Sequence, residues 1–150
     1  MAFAEHEVLI RCDAMSVYTF LVDGMNLPQW RRGIRSISLV SGAAGTKGAV
    51  YRQATTGRSG RTVSADFEIT QARPGAEIQF RVISGPSQHS GGYYLSTEPA
   101  GTRVRFALEY QPKSLLGLMN TRIQRAIKAE VSPLARLKDV LEVRAGAYGL

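Results

Sequence analysis

Between Ile34 and Tyr110 the chain alternates apolar with polar residues, and after Pro112 the apolar positions move to steps of three and four. No other feature constrains the fold as strongly. A period of two belongs to a strand with one buried face, and a period near 3.6 to a helix with one apolar stripe. In "RTVSADFEIT", Val63, Ala65, Phe67 and Ile69 share a face opposite Thr62, Ser64, Asp66 and Glu68. "AEIQFRVI" aligns Ile78, Phe80 and Val82, and "TRVRFALEY" sets Val104, Phe106 and Leu108 against Arg103, Arg105 and Glu109. The breaks "SGAAGTKG", "GRSG", "ARPG", "GPSQHSGG" and "EPAG" are short and rich in turn residues, which predicts hairpins and an antiparallel meander.

The ends of the chain complete the arrangement. From Ala4 to Cys12, His6, Val8, Ile10 and Cys12 fall on one face of a further strand. Asp13 is placed to cap a helix carrying Val17, Phe20 and Leu21, "DGMN" ends it, and Pro28 opens a second short helical turn over Gln29 to Gly33. Ser114 is an N-cap candidate for a long helix whose stripe is Leu116, Met119, Ile123, Ile127, Val131, Leu134, Leu137 and Leu141. Pro133 should kink that helix, and Gly146 should stop it near Arg144 or Ala145. A curved sheet with one apolar face and one long amphipathic helix bury each other when the helix lies across the concave side. The expectation is therefore an α+β helix-grip fold, with about six to seven antiparallel strands around the C-terminal helix and two short helices after the first strand.

A chain of 150 residues is long enough for one domain with a real core, so residues 1–150 are read as a single domain. Cys12 is the only cysteine, which leaves no internal disulfide and no cysteine-based metal cluster, and neither metal nor cofactor is expected. The opening residues lack a secretory pattern and no stretch is long and apolar enough to span a bilayer, so a cytoplasmic location is expected. The net charge is +7, with basic residues distributed through the chain rather than gathered in a tail. Arg103 and Arg105 project opposite Phe106, as ordinary solvent-facing residues do, which argues against a nucleic-acid partner built on Trp30, Tyr51, Tyr93 and Tyr94. The basic outer face of the long helix suits peripheral contact with an acidic membrane.

The stretch "CDAMSVYTFLVDGMNLPQW", followed by "GTRVRFALEY" and the terminal "LARLKDVLE", resembles the START-like (SRPBCC) superfamily, in particular its polyketide cyclase/dehydrase and lipid-transport-like branch. Met15 departs from the pattern, since many relatives open the first helix with proline at that point. The resemblance implies a deep cavity between sheet and helix for a hydrophobic or amphipathic small molecule. Candidate lining residues are Val63, Phe67, Phe80, Tyr93, Phe106, Met119 and Ile123, with Trp30 at the cavity end and Arg31 and Arg32 turned to water.

Inward polar residues are more telling, because burying them without partners is unfavourable. Parity places His6 with Val8 and Ile10, Arg52 with Val50, and His89 with Tyr93, so His6, Arg52, His89 and Tyr93 are the acid/base or head-group candidates. No nucleophile elbow, HExxH or phosphate-binding glycine loop is present, so catalysis has no strong motif behind it. Carriage or sensing of a small ligand, by a monomer or homodimer, is ranked ahead of a polyketide-cyclase/dehydratase-type enzyme, and both ahead of a protein-interaction module with a filled cavity.

Overall fold

The computed structural model describes residues 2–56, 60–85, 88–110 and 134–149. Seven strands, β1 (Ala2–Ile10), β2 (Ile34–Ser41), β3 (Val50–Thr56), β4 (Thr62–Arg73), β5 (Glu77–Ser84), β6 (His89–Glu98) and β7 (Gly101–Tyr110), form one antiparallel sheet. Its order is β1-β7-β6-β5-β4-β3-β2. The meander runs from β2 to β7 and β1 closes it by pairing with β7, so the chain's first and last strands are neighbours. Bulges in β2 and β4, where the register shifts, add the local bend that curves a sheet.

Helix α1 (Ala14–Val22) begins where expected. Asp13 accepts the Ser16 backbone N–H at 3.0 Å and its hydroxyl at 2.6 Å, and Val17, Phe20 and Leu21 are buried. The second short helix differs from the sequence reading. It is a 3-10 helix over Gly24–Gln29 with Pro28 inside it, and it ends where a turn over Gln29 to Gly33 was expected to start. Asp23 is the reason: its carboxylate accepts the Met25 N–H at 3.0 Å, so a new helix nucleates directly after α1 instead of waiting for the proline. The Trp30 and Arg31 N–H groups then close on the Leu27 carbonyl.

β6 also starts earlier than the turn-like "GPSQHSGG" suggests, because His89 to Gly92 belong to the strand. Gly91 lies so close to the Ala107 carbonyl oxygen that a Cβ would collide with it and stand 2.8 Å from Leu108 Cδ2. These glycines serve a tight strand pairing, not a turn.

Of the expected long helix, α2 (Leu134–Gly149) is described. Leu134, Leu137 and Leu141 are buried, as the stripe requires. The helix passes through Gly146 instead of stopping there. A single glycine lowers helix stability by only about 1 kcal/mol relative to alanine, too little to end a helix alone. Ser114, Met119, Ile123 and the kink at Pro133 lie outside the described residues. α2 is tied to the end of β1: the Arg11 N–H donates to Glu142 Oε2 at 3.0 Å and the Cys12 thiol to the Leu141 carbonyl at 3.5 Å. Among the described residues no helix is long and apolar enough to cross a membrane.

Candidate ligand cavity

Cross-strand positions on the concave face share one side of the sheet, so aromatic residues at matching positions must meet. Tyr51 opposes Phe67 and Tyr93 opposes Phe106, and both pairs stack, with centroids 5.4 Å and 4.6 Å apart. Phe80 opposes Gly91, and the missing side chain leaves room for its ring 6.0 Å from Tyr93 and 6.1 Å from Phe67. The result is an aromatic floor across β3 to β7. Trp30, 1% exposed, packs edge-on to Tyr93 and Phe106 at 6.1 and 6.2 Å.

Between this floor and a roof of Leu21, Gly24 and Leu27 lies a cavity of about 40 Å³. Phe67, Phe80 and Tyr93 line it, with Arg31, Gln53 and His89 as the polar residues of the lining. Gly24 makes the roof close: a Cβ there would stand 3.0 Å from the Tyr51 ring. Tyr51 also holds the roof in place, its hydroxyl accepting the Gly45 N–H at 2.9 Å and donating to Asp23 Oδ1 at 3.3 Å. Burial pushes the Tyr51 hydroxyl pKa up, so this link stays protonated through the neutral range. A volume of about 40 Å³ holds a water or two, far below the roughly 300 Å³ of a drug-sized pocket.

The candidate residues separate clearly. Phe67, Phe80, Tyr93 and His89 line the cavity. Trp30 and Phe106 are buried beneath it as packing, and Val63 is half-buried on β4 away from the lining. His6 keeps the expected parity, opposite Phe106, but is exposed and outside the lining. The expectation for Arg52 is overturned. It lies on the convex face, paired with Asp66 at 2.8 Å through two hydrogen bonds, and its hydrogen bonds hold the Asp66 carboxyl below the usual range. The inward face of β3 is Tyr51 and Gln53. The register of β3 against β4 decides it, since Arg52 is the cross-strand partner of Asp66, which lies on the outer face of β4. Arg31, expected in water, lines the cavity instead, 6.0 Å from the Trp30 ring centroid. It sits in non-repeating chain after the 3-10 helix, where no periodicity can assign a side. Among the described residues, no three His, Cys, Asp or Glu side chains converge as metal ligands would, and no buried side-chain polar atom lacks a hydrogen bond.

A sequence profile for polyketide cyclase / dehydrase and lipid transport matches residues 1–142. The chain belongs to that family. The match takes in every strand, α1 and the lining residues Arg31, Gln53 and His89. Other members of the wider fold agree in architecture. TTHA0849 from Thermus thermophilus superposes with a TM-score of 0.75 at 19% identity, covering 95% of this chain and 99% of that one. BexL, a di-domain ARO/CYC from the BE-7585A biosynthetic pathway, gives 0.75 at 24% identity, over 99% of this chain but 48% of its own. The Aha1 dimer from Colwellia psychrerythraea gives 0.69 at 20% identity, over 95% and 98%. No match was found among curated proteins. At these identities the superpositions establish a shared fold, which hosts more than one function.

Proposed function

We propose that this family member is a single-domain binder that carries or senses a small hydrophobic or amphipathic molecule between the sheet and the helices. One observation carries the reading: three polar side chains, Arg31, Gln53 and His89, face an otherwise apolar space floored by stacked aromatic rings. An apolar body with a few placed polar groups is the usual composition of a small-molecule site. The lipid-transport half of the family description supports the same reading. The small volume sets a condition, namely that the ligand enters with opening of the roof. Native mass spectrometry of freshly purified protein, followed by solvent extraction, tests it. A bound lipid or aromatic compound is the expected result, and a protein that stays empty when offered such compounds sinks the proposal.

A second reading, a polyketide-cyclase/dehydratase-type enzyme, is favoured by His89 and Tyr93 sharing the cavity wall, since a histidine and a phenol can supply general acid and base. The di-domain ARO/CYC neighbour supports it by analogy of fold alone. His89→Ala and Tyr93→Phe would each slow turnover of an identified substrate in a domain that still folds, and unchanged rates would remove both residues from any mechanism.

A further inference from the structure

The chain contains no acidic residue between Asp23 and Asp66. Within that interval stand Arg31, Arg32, Arg35, Lys47, Arg52, Arg58 and Arg61, seven basic residues, while the remaining twelve basic and twelve acidic residues cancel. The whole net charge of +7 therefore belongs to the interval holding the 3-10 helix, β2 and β3.

The fold concentrates this surplus further. Ile34 pairs with Thr55 and Thr55 with Val63, so the start of β2, the end of β3 and the start of β4 lie together at one end of the sheet. The Gly33 carbonyl accepts the Thr56 N–H at 3.1 Å, and Arg35 Nη1 donates to Thr62 Oγ1 at 3.3 Å. Arg32, Arg35 and Arg61 are thus neighbours at this end, all exposed, and among the described residues no carboxylate is paired with any of them. The acid nearest in the ladder, Asp66, is already held by Arg52. β5 finishes and β6 begins at the same end, so His89, the first residue of β6, stands there on the lining of the cavity that Arg31 also lines.

We infer that the ligand of this cavity is an amphipathic organic anion, with a carboxylate or comparable head beside Arg31 and an apolar body over the aromatic floor. The inference rests on the ligand-binding reading above and adds the charge of the ligand. A guanidinium beside a partly desolvated opening favours a negative head through charge-assisted hydrogen bonds. Arg32, Arg35 and Arg61 at the same end of the sheet raise the local concentration of anions and speed their arrival, an effect that salt weakens once charges are separated by more than about 8 Å. A neutral ligand gains from neither.

Two dyes that differ in one group test this: anilinonaphthalene sulfonate, an anion, and phenylnaphthylamine, the same rings without the sulfonate. The expected result is that the two compete for one site, that the sulfonate binds more tightly, and that only its affinity falls as salt is raised. Arg31→Gln is expected to weaken the sulfonate by roughly tenfold and the neutral dye by less than about twofold. The triple variant Arg32→Gln, Arg35→Gln, Arg61→Gln is expected to slow sulfonate association at low salt with little change in dissociation. Equal binding of both dyes, insensitive to salt, overturns the anion preference and leaves the cavity reading standing. Sulfonate binding that the neutral dye does not displace overturns it too, because the anion then sits elsewhere. If neither dye binds, both readings fall. If Arg31→Gln does not fold, the salt dependence of the two dyes on the unaltered protein decides.

Discussion

Tyr93 and Phe106 face each other across β6 and β7 with ring centroids 4.6 Å apart and planes 20° from parallel. Phe106 is fully buried under that stack, with Trp30 edge-on against it. Phe106→Ala should therefore destabilise the protein by about 3–5 kcal/mol, the range for deleting a buried aromatic ring. Urea unfolding measures it, and a loss below about 1 kcal/mol would mean the site collapses without consequence.

Gly91 marks a different kind of constraint. A methyl group there meets the Ala107 carbonyl oxygen, backbone that cannot swing aside, as well as Leu108 and Phe80. Gly91→Ala is expected to lower stability by about 1–3 kcal/mol through overpacking and to open the pairing of β6 with β7. Faster amide exchange at Leu108 and Ala107 would report the opening, and unchanged exchange with full stability would show that the strands can spread.

Asp13 caps α1 through two hydrogen bonds with Ser16, and these bonds, led by the one from the Ser16 hydroxyl, hold its carboxyl pKa below 3.8. With the folded-state pKa lower than the unfolded one, the contribution is present above the ordinary carboxyl range and is lost as pH falls through the folded value. Asp13→Ala should lose about 1 kcal/mol at neutral pH. Asp13→Asn should keep most of the cap while removing this part of the acid dependence, so the unaltered protein and Asp13→Ala differ at neutral pH and converge in acid, whereas the gap between the two variants does not change with pH. Parallel pH profiles for Asp13→Asn and the unaltered protein would rule the cap out as a contributor to acid sensitivity.

Arg52 and His6 supply a negative control for the cavity. Arg52→Gln and His6→Ala should leave the amount of co-purifying ligand unchanged, because one side chain lies on the convex face and the other is exposed outside the lining. Ligand lost from either variant by mass spectrometry would show that the lining extends past Arg31, Gln53 and His89.

Much of the fold is legible in the residues themselves. Alternation in "TVSADFEIT" and "TRVRFALEY" and the helical steps of Leu134, Leu137 and Leu141 each state a burial pattern that the structure repeats. The aromatic members of the cavity, Phe67, Phe80 and Tyr93, follow from the same periodicity. The polar members do not. Alternation says that Arg52 and Gln53 face opposite ways, and only the pairing of β3 with β4, which sets Arg52 against Asp66, says which of them faces in.

The sequence alone therefore determined the strands, their antiparallel meander, the first helix and the apolar side of β4, β5 and β7, because periodicity and turn chemistry act within a few residues of chain. Tertiary structure decided what the concave face encloses: Gln53 in and Arg52 out, Arg31 on the cavity lining, and Gly91 and Gly92 within a strand where a turn looked natural. Those outcomes depend on which segments meet across the sheet, and short-range patterns carry no information about atoms brought together from far apart in the chain.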